Sequence, residues 1–303
     1  MIKQTLCFTN QAFLSYSLGQ LIAKFPAIDD KPERKITRPI EDIGIIVIES
    51  HSVTLTSALM SSLLKANVAL IICDEKHMPI GLHLPLESNT LQSERFQAQI
   101  QASLPLRKQL WQQTVMAKIA NQGKILNKYT SGTNDCMQVW SKMVKSNDSD
   151  NLEGRAAAFY WRNLFEDNPH FTRERNSDGP NALLNYGYAI LRAVIARSLV
   201  GSGLLPTLGI HHHNKYNAYC LADDIMEPYR PYVDDLVMSI IKLYGEGAEL
   251  TTEIKRQLLS IPTMDVFIDG IKRPLMIAST LTTASLVKCF TGETRKILYP
   301  VIQ

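Results

Sequence analysis

The chain of 303 residues is 45% hydrophobic and carries a formal net charge of only +3, which supplies ordinary globular cores over more length than a typical single domain needs. So small a charge excludes a globally basic nucleic-acid binder and leaves any polyanion to be met by local patches. Cys7, Cys73, Cys136, Cys220 and Cys289 form no Cys-x-x-Cys pair, which argues against a zinc ribbon or disulfide framework; with no signal-peptide apolar stretch and no apolar run approaching the ~20 residues that span a bilayer, a cytoplasmic protein with reduced thiols is expected.

Residues 1 to about 85 read as β-rich. Ile43 to Ile48 and Val68 to Ile72 are compact β-branched runs, and Asn10 to Phe25 mixes apolar and polar residues between turn signals. Between them, Thr56 to Ala66 sets apolar residues at 59, 60, 63 and 64, one face of a short helix. Pro85, Glu87, Ser88 and Asn89 form a polar connector, and helical patterns dominate from about Gln92. The expectation is an α+β fold: a small β-rich domain over residues 1–88, then a larger, mainly α-helical domain over 89–303. In the second, a helix starts at Asp178-Gly-Pro-Asn181, with proline tolerated in its first turn, and runs to the glycines at 201 and 203. Later, Val266 to Lys272 is a hairpin candidate, because Asp269-Gly270 accepts the positive φ angles of a tight turn.

Basic residues fall in three groups: Lys31, Arg34, Lys35 and Arg38; Arg107, Lys108, Lys118, Lys124 and Lys128 along a helical stretch; and Arg173 with Arg175. Each group taken alone reads as solvated surface. Tyr160, Trp161, Tyr186 and Tyr188 sit at helical spacing and read as core, which leaves Tyr216, beside the histidine triplet, as the one candidate for stacking on a base.

Two segments concentrate the chemistry. Leu208-Gly-Ile-His-His-His-Asn214 is followed closely by Leu221-Ala-Asp-Asp-Ile-Met-Glu-Pro-Tyr-Arg-Pro231. On a helix, Asp224 and Glu227 stack one turn apart and could share a cation. Upstream, Glu153 opens the alanine- and aromatic-rich pattern of Asp150 to Trp161, where it suits a buried ligand or, as Asp150-x-x-Glu153, a capping box. Glu153, one histidine of the triplet and Glu227 supply oxygen, nitrogen and oxygen, a set that suits Mg²⁺ or Mn²⁺ better than structural zinc. Adjacent histidines cannot easily all face one ion, and spacing alone does not choose among them. Asp223, Asp224 and Glu227 also fit a solvated acidic face, although Pro228 and Pro231 restrict the backbone there.

Residues 150 to 231 resemble the CRISPR-associated spacer integrase, the larger subunit of the adaptation complex, with its helix-borne glutamate, Gly-x-x-His turn and Asp-x-x-Glu/Asp helix. The resemblance extends over most of the chain and looks closest to type II systems. It implies that His212, three residues after Gly209, is the ligand histidine, and that Glu153, His212 and Glu227 form the catalytic metal site with Asp224 as accessory. The family often has aspartate where Glu227 stands; the longer arm changes reach and not ligand type. Arg173, Arg175, Lys215 and Asn217 are the expected DNA contacts. The implied activity is a metal-dependent DNA integrase or endonuclease that inserts captured fragments into a CRISPR array, a DNA 3′-hydroxyl attacking a repeat phosphodiester with Mg²⁺ or Mn²⁺ as cofactor. Implied partners are double-stranded DNA, a second copy of the chain and a small ferredoxin-like adaptation subunit that bridges two dimers. The homodimer is expected through the β-rich domain, where the Ile43 to Ile48 strand is too apolar to be left as an open edge. A non-catalytic DNA-organising subunit and a plain metal-dependent nuclease are the rival readings.

Overall fold

Among its described residues the first unit, Met1–Thr90, holds two four-stranded sheets and one α-helix. The computed structural model describes residues 3–27, 32–131, 135–165, 168, 171–174 and 178–303. In chain order the unit runs β1 (Gln4–Phe8), β2 (Ala12–Ser17), β3 (Gln20–Phe25), β4 (Arg34–Pro39), β5 (Ile43–Ile48), β6 (Val53–Leu55), α1 (Ser57–Lys65), β7 (Ala69–Cys73) and β8 (Pro79–His83). One sheet has the order β1-β5-β7-β8 and the other β4-β3-β2-β6.

All six residues of β5 are buried, and the strand pairs in parallel with β1 on one side and β7 on the other. The expectation of an apolar edge at Ile43 to Ile48 is therefore corrected. A continuous Ile/Val run is what a parallel strand covered on both faces requires, so its apolarity is satisfied inside the sheet. One edge of the second sheet is β4, whose Arg34, Lys35 and Arg38 are exposed, as charged edges that resist strand addition commonly are; Lys31 of the same group lies outside the described residues. Leu14, Leu21, Ile43, Ile46, Leu59 and Leu63 join in one apolar cluster. Thr56 starts α1 by accepting from the Leu59 N–H, which satisfies one of the helix's orphan donors.

Among its described residues the second unit, Leu91–Gln303, is mainly helical with one hairpin. It contains α2 (Gln92–Ile100), α3 (Leu104–Tyr129), α4 (Asp135–Met143), α5 (Leu152–Leu164), α6 (Pro180–Gly201), α7 (Cys220–Met226), α8 (Arg230–Tyr244), α9 (Thr252–Leu258), the hairpin strands β9 (Asp265–Ile268) and β10 (Ile271–Pro274), and α10 (Leu275–Phe290). Asp269 and Gly270 both take positive φ, 52° and 73°, as the hairpin reading requires.

By length and composition α6 is apolar enough to cross a membrane, contrary to the reading that no run comes close, but 83% of its most apolar window is buried within the protein. Its apolarity is that of a core helix, and at Gly187 an added Cβ would meet Val233 Cγ1 of α8 at 2.6 Å. The helix α3 is the other organiser. Its Asn121 donates to the carbonyls of Pro228 and Pro300 and accepts from the Ile302 N–H, while Thr114 meets the Tyr299 hydroxyl at 2.8 Å. The C-terminal segment is thus tied to the helix that also carries Lys118.

Candidate metal site

The start of α5 sets the first carboxylate. Asn147, Asp148 and Asn151 take positive φ in the tight turn before it, and Asp148 accepts from the N–H groups of Leu152 and Glu153, both at 2.9 Å. Asp148 is therefore the cap, Asp150 pairs with Lys145 at 2.8 Å, and the capping-box alternative for Glu153 falls away. Glu153 Oε1 instead accepts from Lys118 Nζ at 2.6 Å.

Lys118 is the residue the sequence reading misplaced. It is 8% exposed, not part of a solvated face, and its ammonium stands 2.6 Å from Glu153 Oε1 and 2.6 Å from Glu227 Oε2. A signal for this was available: Trp111, Thr114, Val115, Lys118, Gln122 and Ile125 recur at helical spacing and are all buried on α3. Glu227 lies in the short 3-10 turn between α7 and α8 and spends Oε1 on Arg230 Nε at 2.8 Å. Its Oε2 is buried and faces the Lys118 charge without an aligned hydrogen bond. Burial alone would raise the Glu227 carboxyl, but the charges of Arg230 and Lys118 more than offset it and hold it at about 2. Burial would lower the Lys118 ammonium, and the charges of Glu227 and Glu153 outweigh that and raise it.

The histidine loop is built on Asp224. This fully buried carboxylate accepts at Oδ2 from the N–H groups of Ile210 and His211, at 2.7 and 3.0 Å, and at Oδ1 from His212 N and ring Nδ1, at 3.2 and 2.5 Å. An added Cβ at Gly209 would stand 2.4 Å from the His212 carbonyl oxygen and 2.8 Å from Asp224 Oδ2, so glycine is what lets the loop wrap this closely. With Nδ1–H given to Asp224, the lone pair of His212 is left on Nε2, the arrangement common in metal-binding histidines. Asp224 and Glu227 do not share a cation as they stand, since the first is committed to the loop and the second to Lys118 and Arg230. Hydrogen bonding to Asp224 raises the His212 imidazole against its burial, with Glu227 and Glu153 adding to the effect. His211 stacks on buried Trp111 with centroids 4.1 Å apart and planes 4° apart, and burial lowers it. His212 meets the same indole edge-on at 5.6 Å.

The expected DNA contacts divide. Arg173 is engaged internally: its guanidinium donates to Asn181 Oδ1 and Asn185 Oδ1, pinning its loop to α6. Asn217 is likewise used internally, donating to Asp223 Oδ2 and accepting from the Tyr219 N–H, while Asp223 also takes Arg192 Nε at 2.7 Å. Lys215 and Tyr216 are exposed, the ammonium 4.8 Å from the ring centroid. Arg175 lies outside the described residues.

Behind Glu227 is a second buried carboxyl. Asp234 accepts from the Tyr188 and Tyr160 hydroxyls at 2.5 and 2.9 Å, and the Arg230 guanidinium lies 4.5 Å over the Tyr188 ring. Burial raises Asp234 to about 7 although both hydroxyls and both neighbouring guanidiniums, Arg230 and Arg173, pull the other way.

Among the described residues no three His, Cys, Asp or Glu side chains converge closely enough to hold an ion as they stand. The ammonium of Lys118 lies between the two carboxylates. The donor chemistry nevertheless fits a hard divalent cation: two carboxylates and an imidazole nitrogen, with the buried Glu227 Oε2 lacking a hydrogen bond of its own.

The sequence pattern of the family described as CRISPR associated protein Cas1 matches residues 7–246. A CRISPR-associated endonuclease Cas1 of Neisseria meningitidis serogroup C is 40% identical over 230 residues, 74% of this chain and 73% of that protein. Among solved structures, a casposase bound to integration product superposes with a TM-score of 0.78 at 22% identity, covering 98% of this chain and 92% of that one. A Cas6-RT-Cas1–Cas2 complex gives 0.74 at 20% identity, covering 97% of this chain and 35% of that one. The last two likenesses establish the fold.

Proposed function

This chain belongs to the Cas1 family of CRISPR-associated proteins, and from that premise we propose that it joins captured double-stranded DNA fragments to a CRISPR repeat. In this reading the 3′-hydroxyl of a fragment attacks a repeat phosphodiester, so one phosphodiester replaces another and no nucleotide is hydrolysed. The observation that carries the proposal is the gathering of Glu153 and Glu227 around a single positive charge, with the His212 imidazole electrostatically coupled to both. Glu153, His212 and Glu227 would hold Mg²⁺ or Mn²⁺, which when bound polarises the scissile phosphate and offsets charge developing on its oxygens.

The surrounding residues hold that set in place. Arg230 fixes one oxygen of Glu227 and leaves the other for a cation; Asp224 orients His212 and supports the site without ligating. The exposed Lys215 and Tyr216 stand on the loop that follows His212, where an ammonium beside the site attracts a DNA phosphate. Asymmetry between substrate and water is set by how the DNA is placed, and a small adaptation partner supplies the surface that a chain of modest charge lacks. The Cas1–Cas2 assembly among the structural neighbours supports such a partner, and the reading includes pairing of the chain with a second copy and action in the cytoplasm.

A fragment with a free 3′-hydroxyl and one with a blocked 3′ end separate this from a plain nuclease. Joined product that requires the free hydroxyl is expected; cleavage at equal rates with both fragments and no joined product would sink the integrase reading.

A further inference from the structure

We propose that Lys118 is a resident counter-ion of this site, which fills the gap between Glu153 and Glu227 in the absence of a divalent cation and leaves it when one enters. The inference rests on the reading of Glu153 and Glu227 as metal ligands and adds a residue which that reading does not contain.

The geometry leaves no room for both charges. The ammonium is 2.6 Å from one oxygen of each carboxylate, while Mg²⁺ binds its oxygens at about 2.0–2.1 Å. An ion drawing on the same two oxygens takes the place of Nζ. The charge count points the same way. With Lys118 and Arg230 beside Glu153 and Glu227, two positive and two negative groups cancel, and a divalent ion added to those four groups would leave two positive charges in a partly buried site, against the single further carboxylate of Asp224. Withdrawal of Lys118 halves that excess, while Arg230 still neutralises the far oxygen of Glu227.

Lys118 also has the means to withdraw. It is carried by the middle of α3, a 26-residue helix fixed by its own packing and by the C-terminal segment, so the backbone need not move. The four-carbon stem is flexible where the planar guanidinium of Arg230 is not. Arg230 is thereby the permanent partner of Glu227 and Lys118 the exchangeable one.

Calorimetric titration of the full chain with Mn²⁺ tests this without measuring catalysis. Lys118→Met removes the competing charge at similar length and is expected to tighten Mn²⁺ binding by roughly tenfold or more, since a unit charge at contact distance is worth at least that factor in a partly buried site. Lys118→Gln, which stays polar should the methionine variant fold poorly, is expected to tighten binding in the same direction. Lys118→Arg keeps the charge and is expected to bind no tighter than the native chain. Glu227→Gln is expected to lose Mn²⁺ binding in the native and Lys118→Gln backgrounds alike. If Lys118→Met and Lys118→Gln bind Mn²⁺ as weakly as the native chain or more weakly, while Glu227→Gln still abolishes binding, the counter-ion is overturned and the ligand assignment stands. If Glu227→Gln leaves native binding unchanged, the ligand assignment fails and takes the counter-ion with it.

Discussion

The interiors of the two units are made of different material. Among the described residues of the first unit, Glu49 is the single buried side chain that is polar or charged, and the rest of its interior is Ile, Leu, Val, Ala, Phe and Cys with Gly44 and Pro85. The second unit buries Lys118, Asn121, Gln122, Arg197, Asp223, Asp224, Glu227, Asp234 and Lys255. Burying charge is costly unless each group is paired and hydrogen-bonded, and well-packed apolar residues would stabilise a fold at least as well. The first interior therefore serves the fold. The second carries a cost that stability alone does not explain, and three of its charged members, Lys118, Asp224 and Glu227, belong to the candidate metal site.

The largest effect that would sharpen this contrast is at the ligands. Glu153→Ala, His212→Ala and Glu227→Ala are each expected to abolish Mg²⁺- or Mn²⁺-dependent strand transfer while leaving duplex binding in a gel-shift assay largely intact, because each removes a ligand and little exposed positive charge. Loss of DNA binding in proportion to loss of joining would break it, since the residues would then be holding the DNA surface and not the chemistry.

The converse substitution belongs to the first unit. Leu14 is 1% exposed within the apolar cluster, and Leu14→Ala is expected to destabilise by about 2–5 kcal/mol through lost burial and the cavity left behind. Urea unfolding followed by fluorescence measures this, and the fraction still folded is expected to keep its Mn²⁺ affinity. A Leu14→Ala chain that stays fully folded yet no longer binds Mn²⁺ would mean that the two interiors are not separable in function.

A smaller effect distinguishes two kinds of buried carboxyl inside the second unit. Asp234, held by two tyrosine hydroxyls, is raised from 3.8 to about 7. Between roughly pH 4 and 7 the folded chain thus keeps a proton that the unfolded chain has released. Stability from this group is fully present below about pH 4 and is lost as the pH rises through about 7. Asp234→Asn removes the titration, so the stability of the variant relative to the native chain is expected to improve from about pH 5 to pH 7 and to level off above that. A difference that stays flat over that range would show that Asp234 does not change its charge there.

What was legible in the sequence is what local pattern encodes. The order of a β-rich part and a helical part, the helix beginning after Thr56, the core helix after Gly179 and the Asp269-Gly270 hairpin all follow from spacing and turn residues within a few positions of one another. What was not legible depends on partners far apart in the chain. Lys118 reads as one more lysine on a basic helix until Glu153 and Glu227 arrive from 35 and 109 positions away. Separations of 74 and 46 positions likewise hid the tyrosines that hold Asp234. The Ile43 to Ile48 strand failed differently: the sequence shows that it is apolar, but an edge and a centre differ only in how many neighbours the fold places beside it.

The histidine triplet gives the smallest expected effect and the finest test of the site. Asp224 binds the backbone N–H groups of residues 210, 211 and 212 and the His212 ring, and Trp111 takes His211 face-on and His212 edge-on. Both devices stop at residue 212; His212 and His213 are both exposed, so these contacts and not burial separate them. Removing its ring leaves the cradle and the indole contacts as they were, so His213→Ala is expected to keep strand transfer within about twofold of the native rate, the range of a surface change away from such features. His211→Ala should fall between, because it strips the indole of the ring that covers its face while leaving the His212 ligand and its carboxylate in place. Rates are compared at equal folded fraction and equal DNA occupancy. Were His213→Ala as damaging as His212→Ala under those conditions, the assignment within the triplet would be wrong, and the cradle built by Gly209 and Asp224 would be holding the loop for some purpose other than presenting Nε2 of His212.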